Sequence, residues 1–206
     1  LKVNTKLALE LNKIFLEVII ANKFEKKALK ILKRKKNLRI IDSNDFSLNQ
    51  DFKINSFNNI ILLQKEDKIK FDKKNFKIVS KRKPTKEQMR NLIFTFNICR
   101  YVKSNAIVLG CNNSTVGIGS GQPSRIDSCE IAINKMKKFT KSLNNETIVA
   151  ASDAFFPFVD GIESLVQAGV NAIIQPSGSI RDKEIIDFAN KTGTILLFSK
   201  TRHFKH

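Results

Sequence analysis

The sequence predicts a layered α/β fold, and three observations predict it. Between Thr85 and Phe198, five apolar runs of four or five residues alternate with four segments of helical length. Alternation on that scale is the signature of helices packed on a sheet. Three helix starts are also written into the chain, each a hydroxyl residue followed three positions later by Gln or Asp: Thr85/Gln88, Ser124/Asp127 and Ser179/Asp182. Finally, small and turn-forming residues bound the runs, notably Gly110–Ser114 and Gly119–Ser124.

In chain order, Lys6–Phe15 carries a helical stripe of Leu and Ile, and the apolar run Val18–Ala21 has strand length. Glu25–Lys36 reads as a helix with Ala28, Leu29, Ile31 and Leu32 on its apolar side, followed by a short strand at Leu38–Ile41. Residues 42–83 are polar and uneven, with strands expected at Ile60–Leu63 and Phe76–Val79, and they read as an insertion or connection ending at Pro84. Thr85–Val102 is a helix with a capping box. Strands follow at Asn105–Leu109 and Thr115–Ile118. Ser124 opens a helix to about Lys141, and Thr147–Ala151 is the next strand. Gly161–Ala168 (helix), Asn171–Gln175 (strand), Ser179–Asn190 (helix) and Ile195–Phe198 (strand) complete the pattern. Gly117, Gly119 and Gly121 alternate, which lets the backbone come close to a neighbour or a ligand.

Composition narrows the function classes. The chain is 42% hydrophobic and 27% charged, ordinary for a globular protein, and no apolar run reaches the ~18 residues of a membrane span. Its three cysteines and two histidines form no CxxC or HxE pattern, so neither a zinc ribbon nor a deaminase metal site is expected. Sparse, odd cysteines suit a reducing compartment, and Cys99, Cys111 and Cys129 lack a nearby histidine base for nucleophilic work. Leu1 stands where a Met would begin a complete chain, which leads to the expectation of a fragment or a processed product.

The net charge of +18 raises nucleic acid or an anionic surface as a partner. The excess is concentrated in residues 1–90, with 24 Lys and Arg against 10 Asp and Glu. It is mostly lysine, in clusters such as Lys33–Lys36 and Lys81–Lys83, and it accompanies one Tyr and no Trp. A surface that reads bases would interleave arginine with exposed aromatics. A solvated lysine face is the better reading.

Two loops, Gly119–Arg125 and Gln175–Ser179, lead into helix starts, where free N–H groups and the helix dipole favour anions; ordinary capping is the better reading of either loop taken alone. Neither matches the P-loop or GxGxxG pattern. Ser152–Asp160 places three phenylalanines and two carboxylates after a strand, where α/β ligand sites form. These rings are either core plugs or a stacking surface for a planar heterocycle. The closing Arg202–His206 offers cation, imidazole and aromatic directly behind a core strand.

Lys83–Thr85, Tyr101–Ala106, Gly117–Asp127, Ser152–Phe158, Gln175–Ser179 and the terminal Arg-His-Phe-Lys-His follow one another in an order and spacing that resemble one family. It is the bifunctional purine biosynthesis family, which joins AICAR (aminoimidazole carboxamide ribotide) formyltransferase to IMP cyclohydrolase. The resemblance is strongest over 83–206 and looser over 8–39. It implies a layered α/β fold of cytidine-deaminase-like subdomains without zinc. On this reading residues 1–83 form the C-terminal part of a first formyltransferase subdomain plus a connection, and residues 84–206 form a second.

The implied activity is transfer of a formyl group from 10-formyltetrahydrofolate, the co-substrate, to the 5-amino group of AICAR. The implied setting is a cytoplasmic homodimer with its active site at the subunit interface. Asn105 matches the asparagine beside the reacting groups. Glu17, Arg125, Phe155 and Arg202 match AICAR contacts, and Ile126, Ser179 and Ile180 match positions lining the folate site. Phe204 and His206 match the tail that folds into the active-site region, and no metal ligand is implied. The family's Lys-His pair and its cyclohydrolase domain would lie upstream of Leu1, so a C-terminal fragment is expected. The competing readings are a basic nucleic-acid-binding α/β module and, behind it, a deaminase relative.

Overall fold

In the computed structural model, residues 2–44, 52–69, 73–138 and 146–205 are described. They divide into two units, Leu1–Glu66 and Asp67–His206.

The first unit contains Lys2–Val3 (β1), Thr5–Asn12 (α1), Val18–Ala21 (β2), Lys23–Phe24 (β3), Lys26–Leu32 (α2), Arg39–Asp42 (β4), Phe52–Phe57 (β5) and Ile60–Lys65 (β6). Strands β1 and β3 pair in parallel, as do β2 and β4, while β5 and β6 form an antiparallel hairpin. Asn4 caps α1 by accepting from the Leu7 N–H at 2.9 Å, satisfying one of the donors every helix start leaves open. Val3, Ala8, Ile19, Ala28 and Leu32 form the small core. Strands β1, β3 and β5 were not expected. The first two are only two residues long, and Phe52–Phe57 alternates apolar and polar residues only as far as Asn55, before Ser56 breaks the pattern.

The second unit contains Phe76–Ile78 (β7), Lys86–Cys99 (α3), Ile107–Cys111 (β8), Ser114–Gly119 (β9), Arg125–Lys137 (α4), Ile148–Ser152 (β10), Asp160–Gln167 (α5), Val170–Pro176 (β11), Asp182–Thr192 (α6) and Ile195–Ser199 (β12). Its strands form one six-stranded sheet in the order β7-β12-β11-β10-β8-β9. The neighbours β10, β11 and β12 are parallel; β7, β8 and β9 each run antiparallel to the strand they join.

Alternate residues of each strand serve opposite faces. Val108, Val149, Ala151, Ile195 and Leu197 pack under α3 with Leu92, Phe96 and Cys99. Ile107, Leu109, Ala150, Ile173 and Leu196 pack on the other face against α4, α5 and α6. A sheet buried on both sides explains why β8 and β12 read as unbroken apolar runs.

Local chemistry sets the helix ends. The capping box at α3 forms as written, with the Gln88 N–H donating to Thr85 Oγ1 and the Thr85 N–H donating to Gln88 Oε1. Ser124 stands at the start of α4 but makes no side-chain cap. At α6 only the carboxylate half of the expected capping pattern forms. Arg181 holds the cap position, and Asp182 reaches back to accept from the Gly178 and Ser179 N–H groups at 2.8 and 3.2 Å. The alternating glycines of β9 serve a neighbour: a Cβ on Gly117 would lie 2.1 Å from the Ala132 carbonyl oxygen, and one on Gly119 1.8 Å from that of Ser128. Strand β9 thus lies directly against the α4 backbone. No helix among the described residues is long and apolar enough to cross a membrane.

Candidate active site

The sheet topology gathers five chain segments at one edge. Parallel strands β10, β11 and β12 all end there, so the residues after Ser152, Pro176 and Ser199 emerge side by side. Because β8 is antiparallel to β10, Ile107 pairs with Ser152, and the residues just before β8 arrive at the same edge. Ile107 also pairs with Gly119, which brings in the loop leading to α4. The carboxyl edge of parallel strands is where open α/β sheets bind ligands.

A cavity of about 580 Å³ lies there, and its wall includes Asn105, Arg125, Ile126, Phe155, Phe158, Arg202 and Phe204. Arg125, the first residue of α4, points into its floor. Its Nη1 donates to Ser152 Oγ at 2.8 Å and forms a buried ion pair with Asp153, while Nη2 donates to Asn105 Oδ1 at 2.8 Å. Asp153 also accepts from Ser104 Oγ at 2.6 Å. The Asn105 amide is fully oriented: Nδ2 donates to the Gln122 and Pro123 carbonyls at 2.9 and 3.0 Å. Both of its hydrogens are therefore committed, and its remaining capacity is the second lone pair of Oδ1.

The three aromatics after β10 divide their roles. All three line the cavity, but Phe156 is a core plug at 1% exposure, whereas Phe155 is half-buried and Phe158 exposed. The Arg202 guanidinium sits 5.1 Å from the Phe155 ring centre, and that of Arg181 sits 4.9 Å from the Phe158 ring. With Arg125 paired to Asp153, the other charged side chains on the cavity wall are Arg202 and Asp160, one of each sign.

The tail is stitched down rather than loose. The His203 N–H donates to the Asp153 carbonyl at 2.9 Å, and the Ser104 N–H donates to the Lys205 carbonyl at 2.9 Å. The fit places Phe204, 39% exposed, on the cavity wall.

Of the residues proposed from sequence, Asn105, Arg125, Ile126, Phe155, Arg202 and Phe204 converge on this cavity. Ser179 is half-buried with its Oγ accepting from the Arg181 N–H at 3.2 Å, Ile180 is fully exposed, and neither lines the cavity. Two amides of the Gln175–Ser179 loop are already taken by Asp182, so its use as an anion cradle is largely spent on the protein itself. Glu17 is exposed in the first unit, where its carbonyl accepts from the Arg39 N–H. His206 lies outside the described residues.

Sequence reasoning missed Ser104 and the pairing of Asp153 with Arg125. The available signal was an aspartate directly behind a buried strand, a position that needs a partner.

The three thiols are buried and free. Burial pushes the Cys129 thiol up to about 12 and that of Cys99 far above its usual value, so neither is a nucleophile at neutral pH. Among the described residues, no group of three or more His, Cys, Asp or Glu side chains could hold a metal ion.

Comparison with known proteins matches residues 1–135 to the family described as AICARFT/IMPCHase bienzyme. A bifunctional purine biosynthesis protein PurH of Aquifex aeolicus is 45% identical over 205 residues, covering 100% of this chain and 39% of that protein. PurH proteins of Buchnera aphidicola and Anoxybacillus flavithermus are 46% and 43% identical, covering 94% and 100% of this chain but 37% and 39% of their own lengths. The chain therefore spans about two fifths of the length of the relatives it matches. It belongs to the AICARFT/IMPCHase bienzyme family.

Proposed function

We propose that this chain forms the AICAR-binding surface of the formyltransferase activity in purine biosynthesis, within a cytidine-deaminase-like α/β subdomain that works without zinc. The observation that carries this reading is the convergence of Asn105, Arg125, Phe155, Arg202 and Phe204 on one cavity. These residues offer what a planar, phosphorylated amino-imidazole needs. Phe155 gives a π-face for the imidazole, and Arg202 gives a guanidinium for the phosphate. Asn105 Oδ1, held by Arg125, accepts a hydrogen of the 5-amino group and orients its nitrogen lone pair. Ile126 lines the side from which 10-formyltetrahydrofolate approaches, with Ser179 and Ile180 beyond it.

In the reaction the AICAR amine attacks the formyl carbon, the bond from that carbon to folate N10 breaks, and the amine proton ends on N10. Positioning by a fixed amide accounts for the part of catalysis supplied here. The amine is delocalised and weakly nucleophilic, and proton transfer commonly contributes ~10²–10⁴ in rate. We assign that step to the family's upstream Lys-His pair, and completion of the site to a second subunit of a cytoplasmic homodimer.

Calorimetric titration with AICAR tests the reading, using this chain and a polypeptide extended upstream. We expect AICAR to bind both, with affinity only weakly dependent on salt, and formyl transfer to need the longer one. Failure of both to bind AICAR overturns the proposal. Tight binding of an oligonucleotide, falling steeply with salt, would instead favour a nucleic-acid role for the lysine clusters.

A further inference from the structure

Asp67 and His203 form a buried pair that the proposed chemistry leaves unused. The His203 side chain is 0% exposed although it lies in a tail with no regular secondary structure. Its Nδ1 meets Asp67 Oδ2 at 2.5 Å, and its ring packs 4.5 Å from that of Phe96, tilted by 53°. A carboxylate only accepts, so Nδ1 carries the hydrogen and donates. Nε2 is buried with no hydrogen-bond partner among the described residues.

The neighbours of His203 give the pair its meaning. His203 points into the core, while Arg202 and Phe204 both line the cavity. Fixing the imidazole therefore fixes the two groups beside it. Chain termini fray unless something ties them down, and this tail begins only three residues after the last strand.

We propose that His203 is a positioning residue: held by Asp67 and wedged against Phe96, it keeps Arg202 and Phe204 on the cavity wall. The clasp itself is independent of what the cavity binds, while its consequence for AICAR rests on the function proposed above.

Hydrogen–deuterium exchange on the full chain tests it, with Asp67→Ala, His203→Leu and Asp67→Asn. Leucine keeps the apolar contact with Phe96 without the donor, and asparagine keeps an acceptor for Nδ1. Losing a hydrogen bond to a charged group should raise exchange of the 201–205 amides about tenfold or more in D67A and H203L. It should also open the Arg202–His203 bond to trypsin, and exchange in α5 should stay within about twofold of the parent. D67N should restore protection, and AICAR affinity should weaken in D67A and recover in D67N. Unchanged tail exchange in D67A and H203L overturns the clasp, as does equal loosening of α5, which would mean general destabilisation. A loosened D67A that binds AICAR as tightly as the parent overturns the positioning role. A parent that binds no AICAR overturns the function proposed above, while the exchange data still decide the clasp.

Discussion

Arg125 and Asp153 form an ion pair with 9% and 0% side-chain exposure, and the Ser104–Asn105 segment, Ser152 and the tail are all bonded to these two residues. Ser104 and Ser152 bond to the pair directly, Asn105 is aimed by the free arm of the guanidinium, and the tail bonds to the Asp153 carbonyl. Removing one partner of such a pair strands the other charge. Asp153→Ala should therefore cost about 3–5 kcal/mol in urea denaturation. The double variant Arg125→Leu/Asp153→Leu should lose less than the two single losses added together. Additive losses would mean that the two charges are not coupled.

Phe155 and Arg202 should separate into a ring contact and a phosphate contact. Phe155 is half-buried at the cavity wall, so Phe155→Ala should leave the melting temperature nearly unchanged. Stacking of a base on an aromatic ring is worth about 1–3 kcal/mol, so AICAR affinity should fall roughly five- to hundredfold. Arg202→Met should weaken the monophosphate much more than the unphosphorylated nucleoside. Calorimetry with both ligands reads the difference, and an equal effect on the two would remove Arg202 from the phosphate.

Two glycines should behave differently for separate reasons. Gly119 abuts the α4 backbone, and a methyl group there must push a carbonyl aside. Gly119→Ala should destabilise the chain by about 1–3 kcal/mol, the usual range for overpacking. Gly193 ends α6 at φ +68° with nothing within 4 Å of a built Cβ, so only the left-handed backbone resists. Gly193→Ala should cost about 1–2 kcal/mol without altering the packing of β9 on α4. Chemical shifts of α4 amides should move in G119A and stay in place in G193A.

The buried thiols predict a pH response. A group whose folded pKa is raised favours the folded state below its unfolded pKa and loses that contribution as pH climbs through the folded value. For Cys129 the window runs from ~8.5 up to about 12. Stability should fall across it, and less so in Cys129→Ala if the cavity it leaves is tolerated. At pH 8 iodoacetamide should leave native Cys99 and Cys129 unmodified and label them after unfolding. Mass spectrometry checks both, and rapid native labelling would contradict their burial.

The second unit's elements were legible because apolar periodicity states which face of each segment is buried. Thr85 and Gln88 announced their helix for the same local reason: capping joins residues three apart. The alternating Gly117 and Gly119 showed that something must come close, but not that it was α4. Ser179 and Asp182 signalled a helix start, yet not that the carboxylate would cap the loop behind it.

The family resemblance pointed to Asn105, Arg125, Phe155 and Arg202, which line one cavity, and residue chemistry alone marked the Ser152–Asp160 loop. It could not divide the phenylalanines, since Phe155 and Phe156 are adjacent and only packing decides which one faces the core. Nor could it find Asp67 as the partner of His203, because 136 residues separate them.

The sequence by itself determined the order of the second unit's strands and helices, their buried faces, the capping box at Thr85 and the family. Tertiary structure alone decided which ends of the strands meet. Hydrophobic burial is non-directional, so a pattern of apolar residues specifies that a face is covered without naming what covers it. Sheet order and strand direction supply that information. They bring residues 104, 125, 153 and 203 to one edge, where the requirement that buried polar groups be paired fixes each against the next.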